Sequence, residues 1–175
     1  INEKSFTSAP VASFWDIIPI SEYQLANNLI EKGIEVVGRE ELRELISEKT
    51  VLKAIKGDLK SARKIGLEVG ADIVIVGTAV SSLREENLKE GTKTVQANIN
   101  VKVVSTLESS LIAAKTEFST IKHVHALQAE LEAFDIASKK LSGFLAPSFH
   151  RYREKGIEAP VKKAPEAPPM SMSDM

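Results

Sequence analysis

Two histidines at positions i and i+2, His123 and His125, form the pair in this sequence whose type and spacing could bind a metal ion. Side chains two residues apart on a strand project from the same face, where two imidazoles can share a metal. The sequence places no third ligand beside them, and the pair stands where a predicted strand meets a predicted helix. We therefore interpret the pair as a polar junction with a capping role and predict no metal site.

A second cluster follows Pro147, where aromatic and basic residues are interleaved over residues 149–153. Arginine and tyrosine are frequent among the residues that dominate the binding energy of protein interfaces. Arg151, Tyr152 and Arg153 are therefore candidate docking residues. The alternative interpretation is a solvated helix end.

No set of catalytic residues stands out. Asp72 begins a predicted strand, whereas α/β proteins bind ligands at the carboxyl ends of strands, so we interpret it as a capping group near Gly70. Gly66, Gly70 and Gly77 do not form the glycine fingerprint of a dinucleotide site. The chain has no cysteine, which excludes thiol catalysis, and its three histidines come too late in the chain to suggest a Ser-His-Asp triad. We expect no enzyme activity and no cofactor.

Trp15 is the only tryptophan and lies in residues 5–20, which are rich in aromatic residues and prolines. We interpret this stretch as an ordered loop that packs on the domain, where Trp15 needs no ligand. A small-molecule-binding or enzymatic domain is the alternative. A pocket lined by Phe14, Trp15 and a polar group would favour that alternative, and dry packing there would exclude it.

Composition indicates one domain with a real core. Of the 175 residues 43% are apolar, and the net charge is −1 with both signs mixed along the chain. No basic surface for nucleic acid or anionic lipid is therefore expected. No apolar run approaches the roughly 20 residues of a membrane-spanning helix.

The strongest structural signal is residues 70–80, a β-branched apolar run that predicts a strand buried on both faces at the centre of the sheet. Gly70 is expected to end the preceding helix in the left-handed conformation. Upstream the pattern predicts first a helix opened by a capping box at 21–24 and stopped by Gly33, a short strand at 34–38 and a helix at 39–47. A linker at 48–57, with room for one helical turn through Val51 and Leu52, and a helix capped by Asp58 follow.

The second half of the chain alternates like an antiparallel sheet. A polar loop at 84–91, with Glu85, Glu86 and Glu90, precedes a strand whose apolar side chains alternate with Gln96, Asn98 and Asn100. A return strand at 111–124 follows. A long helix then begins at about His125, carries an apolar stripe of Leu127, Leu131, Phe134, Leu141, Phe144 and Leu145, and is ended or kinked by Pro147.

These elements predict an α/β (α+β) fold with a single mixed sheet. The sheet is parallel in the N-terminal half, at Val36 and Val74, and continues as an antiparallel hairpin; helices pack on it and a long helix closes the chain. We expect one domain at 1–154, with its first strand truncated or upstream, and a Pro/Ala-rich tail at 155–175 that cannot order itself. The wet face with Gln96, Asn98 and Asn100 is the predicted interaction surface.

Residues 62–77, ARKIGLEVGADIVIVG, resemble a signature of bacterial envelope accessory domains. The Asn2-Glu3 end of the first strand, the run at 33–37 and the hairpin at 96–106 resemble the same group. Its members are the flagellar assembly protein T family, the lipoprotein activators of penicillin-binding proteins, the curli secretion protein G family and the TolB amino-terminal domain. The group's usual glycine is absent from the turn at 107–110.

The resemblance implies a non-enzymatic cell-envelope protein, periplasmic or associated with the outer membrane, with no catalytic residues to carry over. It implies a structural component of an assembly such as the flagellar basal body, with other envelope proteins and copies of itself as partners. Membrane contact would come only through a lipid anchor upstream, and no nucleic acid is expected. The alternative within the group is a lipoprotein activator that docks on a penicillin-binding protein.

Overall fold

The computed structural model describes residues 1–6, 13–17 and 19–157, with side chains described as far as Glu154. It confirms the predicted class, an α+β fold with one mixed sheet, helices packed on it and a long C-terminal helix. The elements are β1 (Asn2–Lys4), a 3-10 turn (Phe14–Asp16), α1 (Ile20–Ile30), α2 (Arg39–Leu45), α3 (Glu48–Ile55), α4 (Leu59–Val69), β2 (Ile73–Asn87), β3 (Thr92–Ser105), β4 (Leu111–His123) and α5 (Ala126–Ile157).

The four described strands stand in the sheet in the same order as in the chain. β1 is parallel to β2, with Asn2 opposite Thr78, whereas β2, β3 and β4 form an antiparallel meander. β2 and β3 approach closely at Gly77, where an added Cβ would lie 2.1 Å from the carbonyl oxygen of Asn100. Only glycine fits at this position without moving the backbone.

Two hydrophobic cores lie on opposite faces of the sheet. The first core joins α1 and α5 to β3, whose alternating side chains are fully buried as predicted: Val95, Ala97, Ile99, Val101 and Val103. The second core packs α3 and α4 against Val74 and Val76 of β2. Further along β2 none of the described helices or strands covers this second face, and Val80 is 45% exposed. The predicted burial of the whole strand on both faces is therefore wrong past Val76.

The start of α1 is capped from another element and not by the predicted capping box. The helix begins at Ile20, which places Ser21 inside the first turn. The carboxylate of Glu3 in β1 accepts hydrogen bonds from the N–H groups of Ile20 (3.1 Å) and Ser21 (2.7 Å). Burial raises the pKa of Glu3, and these hydrogen bonds act in the opposite direction. Glu3 thus plays the part of an N-cap side chain from outside the helix.

Two predictions between α1 and α4 are wrong. Residues 34–38 form no strand, because none of the described strands lies beside them to supply backbone partners. Residues 48–57 are not a linker with at most one helical turn but contain the 8-residue helix α3, whose N-cap Ser47 accepts a hydrogen bond from the N–H of Thr50. Burial of Val51 in the second core stabilises this short helix, as tertiary packing does for most helices of its length.

β2 continues beyond the predicted start of the hairpin loop. Glu85 and Glu86 therefore lie in the strand, and Glu86 forms an ion pair with Lys93 of β3 at 3.3 Å. Glu90 lies in the shorter turn that follows and pairs with Lys122 of β4. This contact lowers the pKa of the Glu90 carboxyl and raises the pKa of the Lys122 ammonium group.

α5 continues past Pro147, so this proline does not end the helix, which was one of its two predicted effects. Residues beyond the proline are held by tertiary contacts, because Phe149 is 5% exposed and the hydroxyl groups of Tyr152 and buried Ser105 are hydrogen-bonded. These contacts offset the backbone hydrogen bond that a proline removes from a helix.

The apolar stripe of α5 differs in part from the predicted one. Phe134, Leu141 and Leu145 are fully buried, whereas Leu127 is 53% and Phe144 39% exposed. Small residues take up the stripe instead, among them the fully buried Ala129, Ala133 and Ala137. Of the predicted tail, residues 155–157 continue the helix and 158–175 lie outside the described residues, as do 7–12 and 18 of the predicted loop.

Candidate functional site

The predicted interaction residues Asn98 and Asn100 are exposed, and Gln96 is half-buried. They lie on the sheet face opposite α5, because their neighbours in the alternation point into the first core. Helices α3 and α4 cover this face only near Val74 and Val76. We call the uncovered part the open face; its residues are Thr78, Val80, Gln96, Asn98, Asn100, Thr116, Phe118 and Thr120.

A row of apolar and polar side chains from neighbouring strands crosses the open face. Asn98 lies opposite Val80 on one side and Phe118 on the other, and Lys4 of β1 lies opposite Val80. Phe118 is 59% exposed, on a face otherwise dominated by amide and hydroxyl side chains. Exposed apolar groups rimmed by uncharged polar ones are typical of surfaces that contact other proteins.

The structure does not bring the basic aromatic residues of α5 to this surface. α5 packs on the opposite face of the sheet. Tyr152 is half-buried and bonded to Ser105, while Arg151 turns back onto the carbonyl of Pro147 in its own helix (3.4 Å). Arg153 is exposed. The cluster is therefore divided. Part of it packs inside the protein, whereas Phe149, His150 and Arg153 line a cavity beside β2.

The two histidines meet at the start of α5, with ring centroids 5.8 Å apart. His123 Nδ1 accepts a hydrogen bond from the backbone N–H of His125 at 3.0 Å, which is the junction role that the sequence predicts. In the part of the chain that the structure describes, no three His, Cys, Asp or Glu side chains come together in a group that could hold a metal ion.

Asp72 does not have its predicted capping role. Its side chain is exposed and makes no hydrogen bond to any described residue. α4 ends at Gly70, which has the predicted left-handed conformation (φ +67°). The backbone N–H of Ala71 then donates a hydrogen bond to the carbonyl of Gly66 (2.9 Å). Asp72 instead lines a cavity beside β2.

This cavity, which we call the edge cavity, has a volume of about 470 Å³. It lies between β2 and residues 33–37, with Ile1 and the rings of Phe14 and Trp15 in its lining. Its size is that of a small-ligand site. The pocket that would favour the small-molecule interpretation is therefore present, and its lining includes the polar residues Glu22 and Arg39.

Arg39 is the most unusual residue of the edge cavity, because its side chain is only 5% exposed. Its guanidinium group donates hydrogen bonds to Glu22 Oε2 (2.8 Å) and to the carbonyl of Phe14 (2.5 Å), and lies 4.0 Å from the centroid of the Phe14 ring. Its buried Nε has no partner among the described residues. Buried polar groups are otherwise almost always satisfied.

Sequence reasoning missed both Arg39 and Glu3. In the sequence, Arg39 is one of several charged residues at the start of a predicted amphipathic helix, and Glu3 lies at the end of a predicted strand. A lone charge carries no local sign that it will be buried, because its partners Glu22 and the N-terminus of α1 are distant in sequence.

The structure thus defines an α+β domain with one open sheet face and a cavity at one strand edge. A family model, TP0693-like lipoprotein, C-terminal domain, matches residues 17–146. The chain belongs to this family, and membership of a lipoprotein family indicates an envelope-associated location. Comparison with curated proteins gave no match. Among the described residues, no helix combines the length and hydropathy needed to cross a bilayer.

The solved structures that resemble the chain include the following three. Protein XCC0632 from Xanthomonas campestris, of the DUF330 family, is 10% identical over 58% of this chain, with a TM-score of 0.35, and the match spans 64% of that protein, less than two thirds. Hypothetical protein CT253 from Chlamydia trachomatis is 10% identical over 87% of this chain and 94% of its own, with a TM-score of 0.49. A candidate lipoprotein from Caulobacter crescentus CB15 is 9% identical over 78% and 98%, with a TM-score of 0.32. None reaches a TM-score of 0.5, so we base neither fold nor function on them.

Proposed function

We propose that this protein is a non-enzymatic accessory domain of the cell envelope that works by contacting other proteins through its open face. The observation that carries the proposal is the row of Val80, Asn98 and Phe118, which exposes apolar groups among amide and hydroxyl side chains, with Lys4 of β1 at one end of the row. Membership of a lipoprotein family supports the envelope location. Periplasmic exposure at the outer membrane is the specific location that we propose.

The partner that we propose first is a further copy of the chain within an envelope assembly such as the flagellar basal body. A flat sheet face can meet its own copy, and a low net charge of −1 opposes such association only weakly. The resemblance of residues 62–77 to envelope accessory domains supports this choice. The alternative is an activator that docks as a monomer on a penicillin-binding protein.

A second candidate function is the binding of a small molecule in the edge cavity. The cavity of about 470 Å³ with aromatic and apolar walls and the unpaired Arg39 Nε favours it. An apolar ligand with one hydrogen-bond acceptor would suit these walls. Dodecanoate is a ligand of this kind, and its effect on amide hydrogen exchange at the residues that border the cavity tests this function.

Light scattering of the purified chain tests the first proposal. We expect a discrete oligomer that dissociates in Phe118→Arg, because a charge in the centre of a buried interface lacks a partner. The matched control is Leu127→Arg, which changes a 53% exposed residue on α5, away from the open face. The same comparison is made after removal of residues 155–175.

A monomer in all forms would exclude self-assembly and favour the penicillin-binding-protein alternative, which is then tested by binding of the purified synthase to wild type and Phe118→Arg. An oligomer that Phe118→Arg and Leu127→Arg leave equally intact would contradict the role of the open face. Loss of the oligomer on removal of 155–175 alone would assign assembly to the tail.

A further inference from the structure

β2 has an edge without a strand. β3 pairs with β2 along one edge from Ile73 to Asn87, but β1 pairs with the other edge only from Thr78 to Val80. In the described structure, no strand lies along residues 73–77 on the β1 side. An unpaired strand edge presents a row of free backbone N–H and C=O groups.

A second unpaired segment faces the first across the edge cavity. Residues 33–37 line the cavity opposite residues 72–76. The backbone N–H of Ile34 donates a hydrogen bond to the carbonyl of Leu29 (3.1 Å). The backbone N–H groups of 35–37 have no backbone partner in the described parts of the chain. Their composition, Glu-Val-Val, is that of a strand. Two sets of unpaired backbone groups thus border one cavity, an arrangement that costs free energy unless something pairs with them.

The edge cavity lies in line with β1. Asn2 is opposite Thr78 in parallel register, and Ile1, the preceding residue, lines the cavity. In the same register Ile1 is opposite Gly77, so a strand extended backwards from Ile1 would pass beside residues 76 to 72. At about 3.3 Å per residue, five such positions span roughly 16 Å.

The walls define the chemistry of an occupant. At this level of β2 both sheet faces are covered, because Ile73 and Ile75 pack against the first core and Val74 belongs to the second. A strand inserted here would be buried on both faces, and strands in such positions are continuous apolar runs without charges.

We infer that the edge cavity is the seat of an extended, uncharged apolar segment of about five residues, which pairs with β2 in parallel and runs on into Ile1. It would bring residues 34–37 into the sheet as a further strand, because the inserted segment offers them backbone partners. The N–H of Ile1 already donates to Glu22 Oε2 at 2.7 Å, a contact that an amide N–H can also make. This inference is independent of the partner of the open face.

The test compares three forms of the chain by amide hydrogen exchange: the chain itself, a form with Val-Ile-Val-Ile-Val joined before Ile1, and a matched form with Gly-Ser-Gly-Ser-Gly. We expect the apolar extension to slow exchange roughly tenfold or more at those amides of 73–77 and 35–37 whose N–H groups point towards the inserted segment, since only these gain new partners. The other amides of 73–77 already point to β3. The Gly/Ser extension should leave exchange at all of these amides unchanged, and amides at the β3–β4 pairing serve as the internal reference.

Equal exchange in the apolar and Gly/Ser forms would overturn the inference. Two additions to the unextended chain distinguish other occupants. Protection by dodecanoate that the apolar extension does not reproduce would assign the cavity to a small amphipathic ligand. Protection by free acetyl-Val-Ile-Val-Ile-Val-amide as strong as that of the joined segment, at equimolar concentration, would overturn its continuity with Ile1 and indicate a separate peptide.

Discussion

The carboxylate of Glu3 accepts a hydrogen bond from the backbone N–H of Ser21 at 2.7 Å, which joins the edge strand β1 to the first turn of α1. The same carboxylate accepts from Ile20, so two otherwise unpaired helix N–H groups depend on one side chain. We expect Glu3→Ala to lower the free energy of unfolding by about 1–2 kcal/mol, as the loss of an N-cap does. Urea unfolding measures it, and an unchanged midpoint would exclude the capping role.

Glu3 also predicts a dependence of stability on pH. Burial raises the pKa of this carboxyl in the folded protein above its ordinary 4.5. A carboxyl whose pKa is raised on folding binds its proton more tightly in the folded state. The stabilisation that comes from this tighter proton binding is fully present below about pH 4.5 and is lost as pH rises through the folded pKa. Unfolding at a series of pH values should show this loss in wild type and not in Glu3→Gln. Identical pH profiles would contradict the prediction.

Ser109 should respond favourably to replacement by glycine. It is the one non-glycine residue with positive φ (+55°) among the described residues, and it lies in the turn at 107–110. The left-handed conformation costs a non-glycine residue roughly 1–2 kcal/mol, part of which the greater chain entropy of glycine offsets. We expect Ser109→Gly to raise the unfolding free energy by up to about 1 kcal/mol. Ser109→Ala is the control and should bring no gain; equal stability of the two variants would contradict the explanation.

Two helical glycines should respond oppositely to alanine. A Cβ on Gly66 of α4 would lie 2.0 Å from Thr106 Oγ1 and 2.9 Å from Val74 Cγ2, whereas a Cβ on Gly143 of α5 would meet nothing within 4 Å. We expect Gly66→Ala to destabilise by about 1–3 kcal/mol through overpacking. Gly143→Ala should stabilise by about 0.5–1 kcal/mol through helix propensity. Thermal unfolding measures both, and changes of the same sign would refute the close approach of α4 to β2.

Removal of the Arg39 side chain should be costly. It would leave Glu22 without its guanidinium partner and the carbonyl of Phe14 without a donor. Breaking a buried ion pair from one side typically costs about 3–5 kcal/mol, and the partial exposure of Glu22 places Arg39→Ala at the lower end. Arg43→Ala, an exposed neighbour on α2, should stay within about 0.5 kcal/mol of wild type. A similar small effect of both would show that the Arg39 contacts contribute little.

The parts of the fold that depend on local sequence could be predicted. Strict alternation places Val95 to Val103 on a buried face, Asp58 caps its helix through the N–H of Lys60, and Gly70 takes the left-handed conformation. Each of these three features depends only on residues a few positions away in the chain, so a single sequence contains the necessary information.

The features that could not be predicted depend on residues that are distant in the sequence. Residues 34–37 have the composition of a strand, but a strand exists only where a neighbour pairs with it. The burial of Arg39 depends on Glu22 and Phe14, and the cap of α1 on Glu3. The exposed residues of the open face could be predicted from alternation; the edge cavity could not, since it arises from the short pairing of β1.

The agreement between strand order and chain order bears on how the protein folds. β2, β3 and β4 meet through two short turns, so their pairing closes only small loops, whereas the hydrogen bond from the N–H of Phe6 to Ser81 Oγ links residues 75 positions apart. Contacts between residues far apart in the sequence form late, because closing the long loop between them costs chain entropy before the contact stabilises anything. The meander and α5 would therefore make up the folding nucleus, and substitutions in β1 would mainly accelerate unfolding and leave the folding rate nearly unchanged.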